Sequence, residues 1–262
     1  MRSKLPNWLV LPEFREMEKE NDESATQLHK EVILRKPFLK KLFLHYYHQI
    51  LNVEKSLTID GTSLEIGSGG GFLKEIYPAI TTSDILKVSG VDRQENACAL
   101  SFPDKSLKAI YGLQTLHHLS QPREFFKEAS RTLKPGGKIG LIEPFISPFG
   151  HFVYKNFHYE FCDFSTTDWE FDQTSPLGDS NQALPTIIFK RDRDQFLSEF
   201  PELEIESVTP HTFLVYLLSG GIRYRSILPS FLFYPWMCVE WLLTPLMPWI
   251  GTMQTIVLRK RG

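Results

Sequence analysis

The sequence predicts an α/β fold, and three observations carry that prediction. A glycine-rich turn, Gly67-x-Gly69-x-Gly71, stands between an apolar strand pattern ending at Ile66 and a helical pattern beginning at Phe72. Short β-patterned runs then alternate with helical ones as far as Ile142, the order that builds a mostly parallel sheet. Several of the runs end on polar residues, Asp84, Asp92 and Gln114. Carboxyl ends of parallel strands are where open α/β sheets bind ligands.

Composition bounds the function. With 262 residues the chain can form one large domain with elaborations. Net charge is −2, so there is no general nucleic-acid footprint, although Lys36, Lys40 and Lys41 cluster locally and Arg259–Arg261 forms a basic tail. Aromatic residues make up 13% of the chain, 20 of them Phe, a high share for an otherwise ordinary globular composition. Cys98, Cys162 and Cys238 are scattered without a C-x-x-C. Neither a disulfide framework nor a zinc site is expected, and a reducing cytoplasmic setting is the expectation. Met1–Leu11, interrupted by Lys4, Pro6 and Asn7, lacks the long apolar core of a signal peptide.

Residues 1–60 read as a helical preface. Glu13–Glu23 is charged and suits an exposed helix or loop. From Gln27 to Leu51 apolar residues recur at helical spacing, and Pro37 divides the run into two helices. His45 and His48 share a helix surface, where two solvated histidines are a simpler reading than a metal pair. Strand one is Thr62–Ile66, and a helix follows the glycine turn and stops near Pro78. Strand two is Ile80–Ser83 and strand three Val88–Val91. Strand four is Leu107–Leu113. A helix from Pro122, a residue suited to a first helical turn, reaches Leu133. Lys134-Pro135-Gly136-Gly137 turns into strand five, Lys138–Ile142.

Two long excursions interrupt the rest. The first, about 144–190, carries His151, His158, Tyr159, Glu160 and the turn-rich Ser175–Gln182. A helix over Asp192–Glu199 and strand six, Glu204–Val208, follow it. The second, about 209–251, is apolar and aromatic, with Pro235, Pro245, Pro248 and Glu240 arguing against a straight membrane span. It reads as a set of short helices forming an apolar lid or an interfacial membrane contact. Strand seven is Met253–Leu258.

Four ordered motifs carry a family resemblance. Glu65-x-Gly67-x-Gly69-x-Gly71 resembles motif I of the class I S-adenosylmethionine (SAM)-dependent methyltransferases, E/D-x-G-x-G-x-G. A dinucleotide turn, G-x-G-x-x-G, would need glycine where Phe72 stands. Asp84 lies 19 residues after Glu65, where an acid at the end of strand two reaches a ribose. Asp92…Leu100-Ser101-Phe102-Pro103-Asp104 is similar to the family's D-A…L-P-F-x-D segment, with Arg93 in place of the usual small residue. Leu116-His117-His118-Leu119 and Arg131-x-Leu133-Lys134-Pro135-Gly136-Gly137 resemble the late motifs of the ubiquinone-biosynthesis-type (methyltransferase type 11) group. The resemblance covers about residues 60–145.

It implies a Rossmann-like, seven-stranded methyltransferase sheet, with strand seven antiparallel beside strand six. A helical cap (1–60) would precede the methyltransferase domain (61–262), and the insertions after strands five and six would roof the ligand face. It implies SAM as cofactor, with Glu65, Gly67, Ser68, Gly69, Gly71, Asp84, Asp92, Arg93, Gln114, Leu116 and His117 as its binding residues. Amides of the glycine turn would hold the methionine part, Asp84 the ribose and Asp92 the adenine. A hydroxyl acceptor needs a base of near-neutral pKa, and His118, followed by His158 and Glu160, is the candidate. No metal is expected. The apolar roof points to a hydrophobic small molecule, lipid or lipid-linked sugar as acceptor, with peripheral membrane contact through 209–251 at an inner membrane face. A nucleotide-dependent oxidoreductase or epimerase, and a non-catalytic membrane-peripheral binding protein, stay open as alternatives. The acceptor atom, general base and oligomeric state are not readable from the chain.

Overall fold

The computed structural model describes residues 6–15 and 22–262, so positions 16–21 of the charged Glu13–Glu23 stretch lie outside it. Seven strands form one sheet in the order β3-β2-β1-β4-β5-β7-β6. They are β1 (Thr62–Ile66), β2 (Thr81–Asp84), β3 (Arg93–Gln94), β4 (Leu107–Leu113), β5 (Leu133–Pro144), β6 (Leu203–His211) and β7 (Met253–Lys260). All pairings are parallel except those of β7, which runs antiparallel to both β5 and β6. Strands one and four have the expected bounds. Strand three does not: it starts after Asp92, and the expected Val88–Val91 is turn, because Ser89-Gly90 breaks it with Gly90 at φ +84°.

Alternation along the strands supplies two apolar faces. On one face Leu64, Ile66, Ile110, Ile139 and Leu141 pack with Phe125, Phe126 and Ala129 of α4 (Pro122–Thr132). That layer continues through α6 (Leu184–Thr186), a π-helical turn (Ile187–Arg191) and α7 (Arg193–Glu199). On the other face Ala109, Tyr111, Ile142 and Val257 meet α2 (Pro37–Lys55). Here Phe38, Leu39, Leu42, Phe43, Tyr46, Tyr47, Ile50 and Val53 are buried at three- and four-residue spacing. α2 and α1 (Asp22–Arg35) meet at Lys36-Pro37, as the proline predicts. Glu54 pins the end of α2 to the sheet. Its carboxylate accepts from Ser63 Oγ, Tyr77 Oη and Tyr111 Oη, each at 2.8 Å, and pairs with Lys108 Nζ at 2.7 Å.

Register fixes where the excursions start. Pro144 and His211 both lie opposite Met253, so β5 and β6 end at the same edge of the sheet. That edge is also where β1 and β4 end, since Leu113 pairs with Ile142. Both insertions leave from it. The first includes α5 (Pro148–Phe157); the second includes α8 (Val215–Ser219), α9 (Phe233–Leu242) and α10 (Met247–Ile250). Two ties join the N-terminal helices to them. Ser175 Oγ donates to Asp22 at 2.8 Å, and buried Lys36 Nζ donates to the Gly221 and Tyr224 carbonyls.

Candidate active site

A cavity of about 1410 Å³, counting its open mouth, lies over the carboxyl ends of β1, β2 and β4. Its floor is the glycine turn, where the chain leaves β1 with Gly67 at φ +62°. A Cβ at Gly67 would stand 2.6 Å from the Thr115 side chain, and one at Gly69 would stand 2.4 Å from Thr26 Cγ2. These glycines let β4 and α1 close onto the turn. The turn's amides are largely spent within the protein. Ser68 N donates to Ser83 O at 2.9 Å, Gly69 N to Asp84 Oδ2 at 2.9 Å, Gly71 N to Ser68 O at 2.7 Å and Phe72 N to Tyr47 Oη at 3.0 Å. These four amides thus have acceptors within the protein, and α3 (Leu73–Ile76), which follows the turn, is four residues long.

What the floor does offer is negative charge. Glu65 is 2% exposed, and its Oε2 has no hydrogen-bond partner. Burial pushes its carboxyl up to about 7. Asp84 accepts from Gly69 N and from Leu86 N, each at 2.9 Å, and burial still raises its pKa. The cavity lining includes Glu65, Asp84, Glu95 and Glu160, and no lysine or arginine among the described residues.

Beyond the turn, Gln114 lines the cavity at φ +56°, a left-handed conformation that costs a non-glycine residue on the order of 1–3 kcal/mol. It is held by Gln114 N donating to Ile142 O at 2.8 Å. His118 lines the wall next to it. Its Nδ1 lies 3.2 Å from the Asp179 carbonyl, so Nδ1 carries the proton and Nε2 keeps the lone pair. Burial, helped by the charge of His117, pushes His118 down to about 4, below the near-neutral value expected of it as a base. His158 and Glu160 line the same end, with Tyr159 and Tyr216. Burial lowers the His158 pKa.

Four expected cofactor residues do not line the cavity. Asp92 is held by Lys74 and accepts from Thr82 N and Oγ1 at 2.9 and 3.0 Å, behind β2. Arg93 is exposed, paired with Glu95 at 2.9 Å and stacked 4.5 Å from the Phe102 ring. The residues that reach the cavity from this loop are Glu95, Asn96 and Ala97. Asn96-Ala97 is therefore the pair in the place of the D-A dipeptide. Counting back from Leu100-Ser101-Phe102-Pro103-Asp104, rather than forward from the nearest Asp, was the available signal. Leu116 is fully buried in the core under α4.

His117 is the fourth, and it stands behind the wall. Its Nδ1 lies 2.7 Å from Glu143 Oε2 and its Nε2 3.6 Å from Glu160 Oε2. Burial opposes its charge, but the two carboxylates outweigh burial and push it up to about 9. In turn, burial would raise the Glu160 pKa, yet the His117 hydrogen bond and the neighbouring histidines hold it well below the carboxylate range. His117, His118 and Glu160 are the one group of three among the described residues with metal-ligand atoms in reach of each other. The protonated His117 already supplies the cation that Glu160 faces. Glu143 had no sequence signal beyond its place at the end of strand five.

Residues 64–141, spanning β1 to most of β5, match the family model described as a methyltransferase domain. That segment of the chain is therefore similar to the methyltransferase domain of the SAM-dependent enzymes. The chain is 32% identical over 53 residues to the 27-O-demethylrifamycin SV methyltransferase of Amycolatopsis mediterranei (strain S699), covering 20% of each chain. It thus spans about a fifth of the length of that curated relative. Among solved structures it is similar to the geranyl diphosphate C-methyltransferase of Streptomyces coelicolor A3(2), with 13% identity, TM-score 0.48, and 97% and 88% of the two chains covered. It is also similar to a methyltransferase of Bacillus halodurans C-125, with 17% identity, TM-score 0.47, and 82% and 99% covered. SAM is the cofactor that goes with this domain, and the cavity floor fits it. SAM carries an ammonium and a sulfonium beside its carboxylate, and for the two cationic groups the floor presents an unpartnered buried carboxylate oxygen and a second buried acid.

Proposed function

We propose that the protein transfers a methyl group from SAM to an amphiphilic acceptor, a hydrophobic small molecule, lipid or lipid-linked sugar. The observation that carries this reading is a single cavity lined both by Glu65, whose Oε2 has no hydrogen-bond partner, and by His118, His158 and Glu160. SAM brings a methyl group on a sulfonium, so the protein's part is to bind, orient and exclude water. Glu65 would take the ammonium, Asp84 the ribose hydroxyls and the Asn96 loop the adenine edge, while Gly67, Ser68, Gly69 and Gly71 shape the floor. Gln114 would mark the seam between cofactor and acceptor.

On the acceptor side, His118 Nε2 would take the proton of a hydroxyl as it is methylated. His158 and Glu160 would position the acceptor's head. A lining with acids and no lysine or arginine favours a head that is neutral or cationic over a phosphate or carboxylate. Phe43, Tyr47, Tyr216 and Ile222 would receive its apolar body. In the same reading residues 1–60 are a cap on a domain of residues 61–262, and the protein works peripherally at a membrane. No described helix is long and apolar enough to cross one. The test is incubation with methyl-labelled SAM and total lipid and metabolite extracts, with mass spectrometry of the labelled product. Calorimetry with S-adenosylhomocysteine checks the cofactor: absence of binding by the wild type would sink the reading. Binding without any labelled product would favour a non-catalytic binding protein.

A further inference from the structure

From Ser226 to Thr252 the chain carries one charged side chain, Glu240. That residue is turned inward at 4% exposure, where it accepts from Phe213 N and Val215 N, each at 2.7 Å, and from Trp236 Nε1 at 3.3 Å. Phe233, Glu240 and Met247, seven residues apart, form the buried stripe of α9 and α10. Everything opposite that stripe is uncharged. Phe231, Tyr234, Trp241, Leu242 and Trp249 are 72%, 66%, 74%, 68% and 59% exposed. Contiguous apolar surface of this kind marks an interaction site on a soluble domain.

We propose that this face of α9 and α10 seats on a lipid bilayer and holds the cavity's roof at the membrane surface. The inference rests on the reading of an apolar acceptor and names where that acceptor enters. Three features favour a bilayer over a second copy of the chain. A protein interface has a polar, charged rim around its apolar centre, whereas this face presents no exposed charged residue of its own. Trp and Tyr are the residues that sit at membrane–water boundaries. The cation that borders the face is Lys41, whose Nζ donates to Ser230 O at 2.8 Å and lies 5.1 Å from the Tyr234 ring, placed to meet lipid phosphates. Pro235, Pro245 and Pro248 divide the segment into helices of ten and four residues, which lie along an interface and do not cross it. The face is also continuous with the cavity: α8, whose first amides Glu240 caps, contributes Tyr216 to the lining.

The test is co-sedimentation of the full chain with vesicles of phosphatidylcholine alone and with a quarter phosphatidylglycerol, together with tryptophan quenching by spin-labelled lipid. The expected result is association with both vesicles, quenching of wild-type emission, and little weakening as salt is raised. The triple variant Trp241→Ser, Leu242→Ser, Trp249→Ser should bind vesicles at least about tenfold more weakly, with its thermal melt and S-adenosylhomocysteine binding unchanged. Absence of wild-type association with either vesicle, or of quenching, would overturn the proposal. So would a wild-type dimer in sedimentation that the triple variant converts to monomer, because a second copy would then cover the face. Loss of S-adenosylhomocysteine binding by the wild type would strike the methyltransferase reading instead, and the vesicle result would stand apart from it.

Discussion

His117 Nδ1 lies 2.7 Å from Glu143 Oε2, with both side chains sealed from solvent at 1% and 0% exposure. The other Glu143 oxygen accepts from Thr115 N at 2.8 Å and Leu116 N at 2.7 Å. One carboxylate from the end of β5 therefore fixes the loop after β4 and keeps an imidazolium behind the cavity wall. An acid this buried is tolerated because every lone pair in use faces a donor.

Stability should record this pair. The folded value for His117, about 9, lies above the ordinary 6.5. Its contribution is thus complete below about pH 6.5 and lost as pH rises through about 9. We expect the wild-type Tm to fall by on the order of 5 °C between pH 7 and pH 10. His117→Gln should be less stable at pH 7 and show a shallower alkaline slope. A wild-type Tm that does not change over this range would contradict the assignment.

Cofactor affinity should carry the signature of Glu65. Its carboxyl, raised by burial to about 7, is neutral below that value and cannot pair with an ammonium. S-Adenosylhomocysteine binding, followed by calorimetry, should strengthen as pH rises from 6 to 8. In Glu65→Gln it should be weaker by about tenfold or more at pH 8 and independent of pH over the same interval. Equal affinities of wild type and variant at pH 8 would remove Glu65 from the site.

The loop after β3 offers a discriminating pair. Asp92→Ala loses a bond to Lys74 and two to Thr82, so it should lower Tm and leave S-adenosylhomocysteine affinity nearly unchanged. Asn96→Ala should weaken affinity by about fivefold, one hydrogen bond's worth. Asp84→Ala should cost more than either, because Asp84 also orders the glycine turn through Gly69 N. The reverse order for Asp92 and Asn96 would restore Asp92 to the adenine.

His118 should separate binding from turnover. His118→Ala should leave cofactor affinity in place and lower kcat by roughly 10²–10⁴-fold toward a hydroxyl acceptor. Since burial holds His118 down at about 4, the wild-type enzyme should not lose activity through this residue anywhere above about pH 5. An unchanged kcat in the variant would assign the proton to another group or to an acceptor that needs no base.

Much of the sheet is legible because its signals are local. The β1 and β4 patterns have the right bounds, and Pro37 and Pro122 mark helix starts by removing a donor where none is needed. Asp84 and the glycine turn are legible through spacing. Asp92 misleads because an acid near a strand end looks the same whether it faces a ligand or a lysine. Lys74, from α3, decides between them. His117 and His118 are indistinguishable as a dipeptide, and neighbours remote in the chain give one a proton and take it from the other. Glu143 lies 26 residues from His117, and Asp179 lies 61 residues from His118.

By itself the sequence determined the order of strands and helices, the turn at Gly67–Gly71, the acids at its flanks and the apolar character of the second insertion. These follow from periodicity, backbone freedom and composition, which act over a few residues. Only the tertiary structure decided that the turn's amides face inward, that Glu65 keeps an unpartnered oxygen, and that Glu240 is buried while the tryptophans around it are not. Hydrogen-bond satisfaction and burial here depend on partners remote in the chain, as Asp84 is from Gly69 and Phe213 from Glu240.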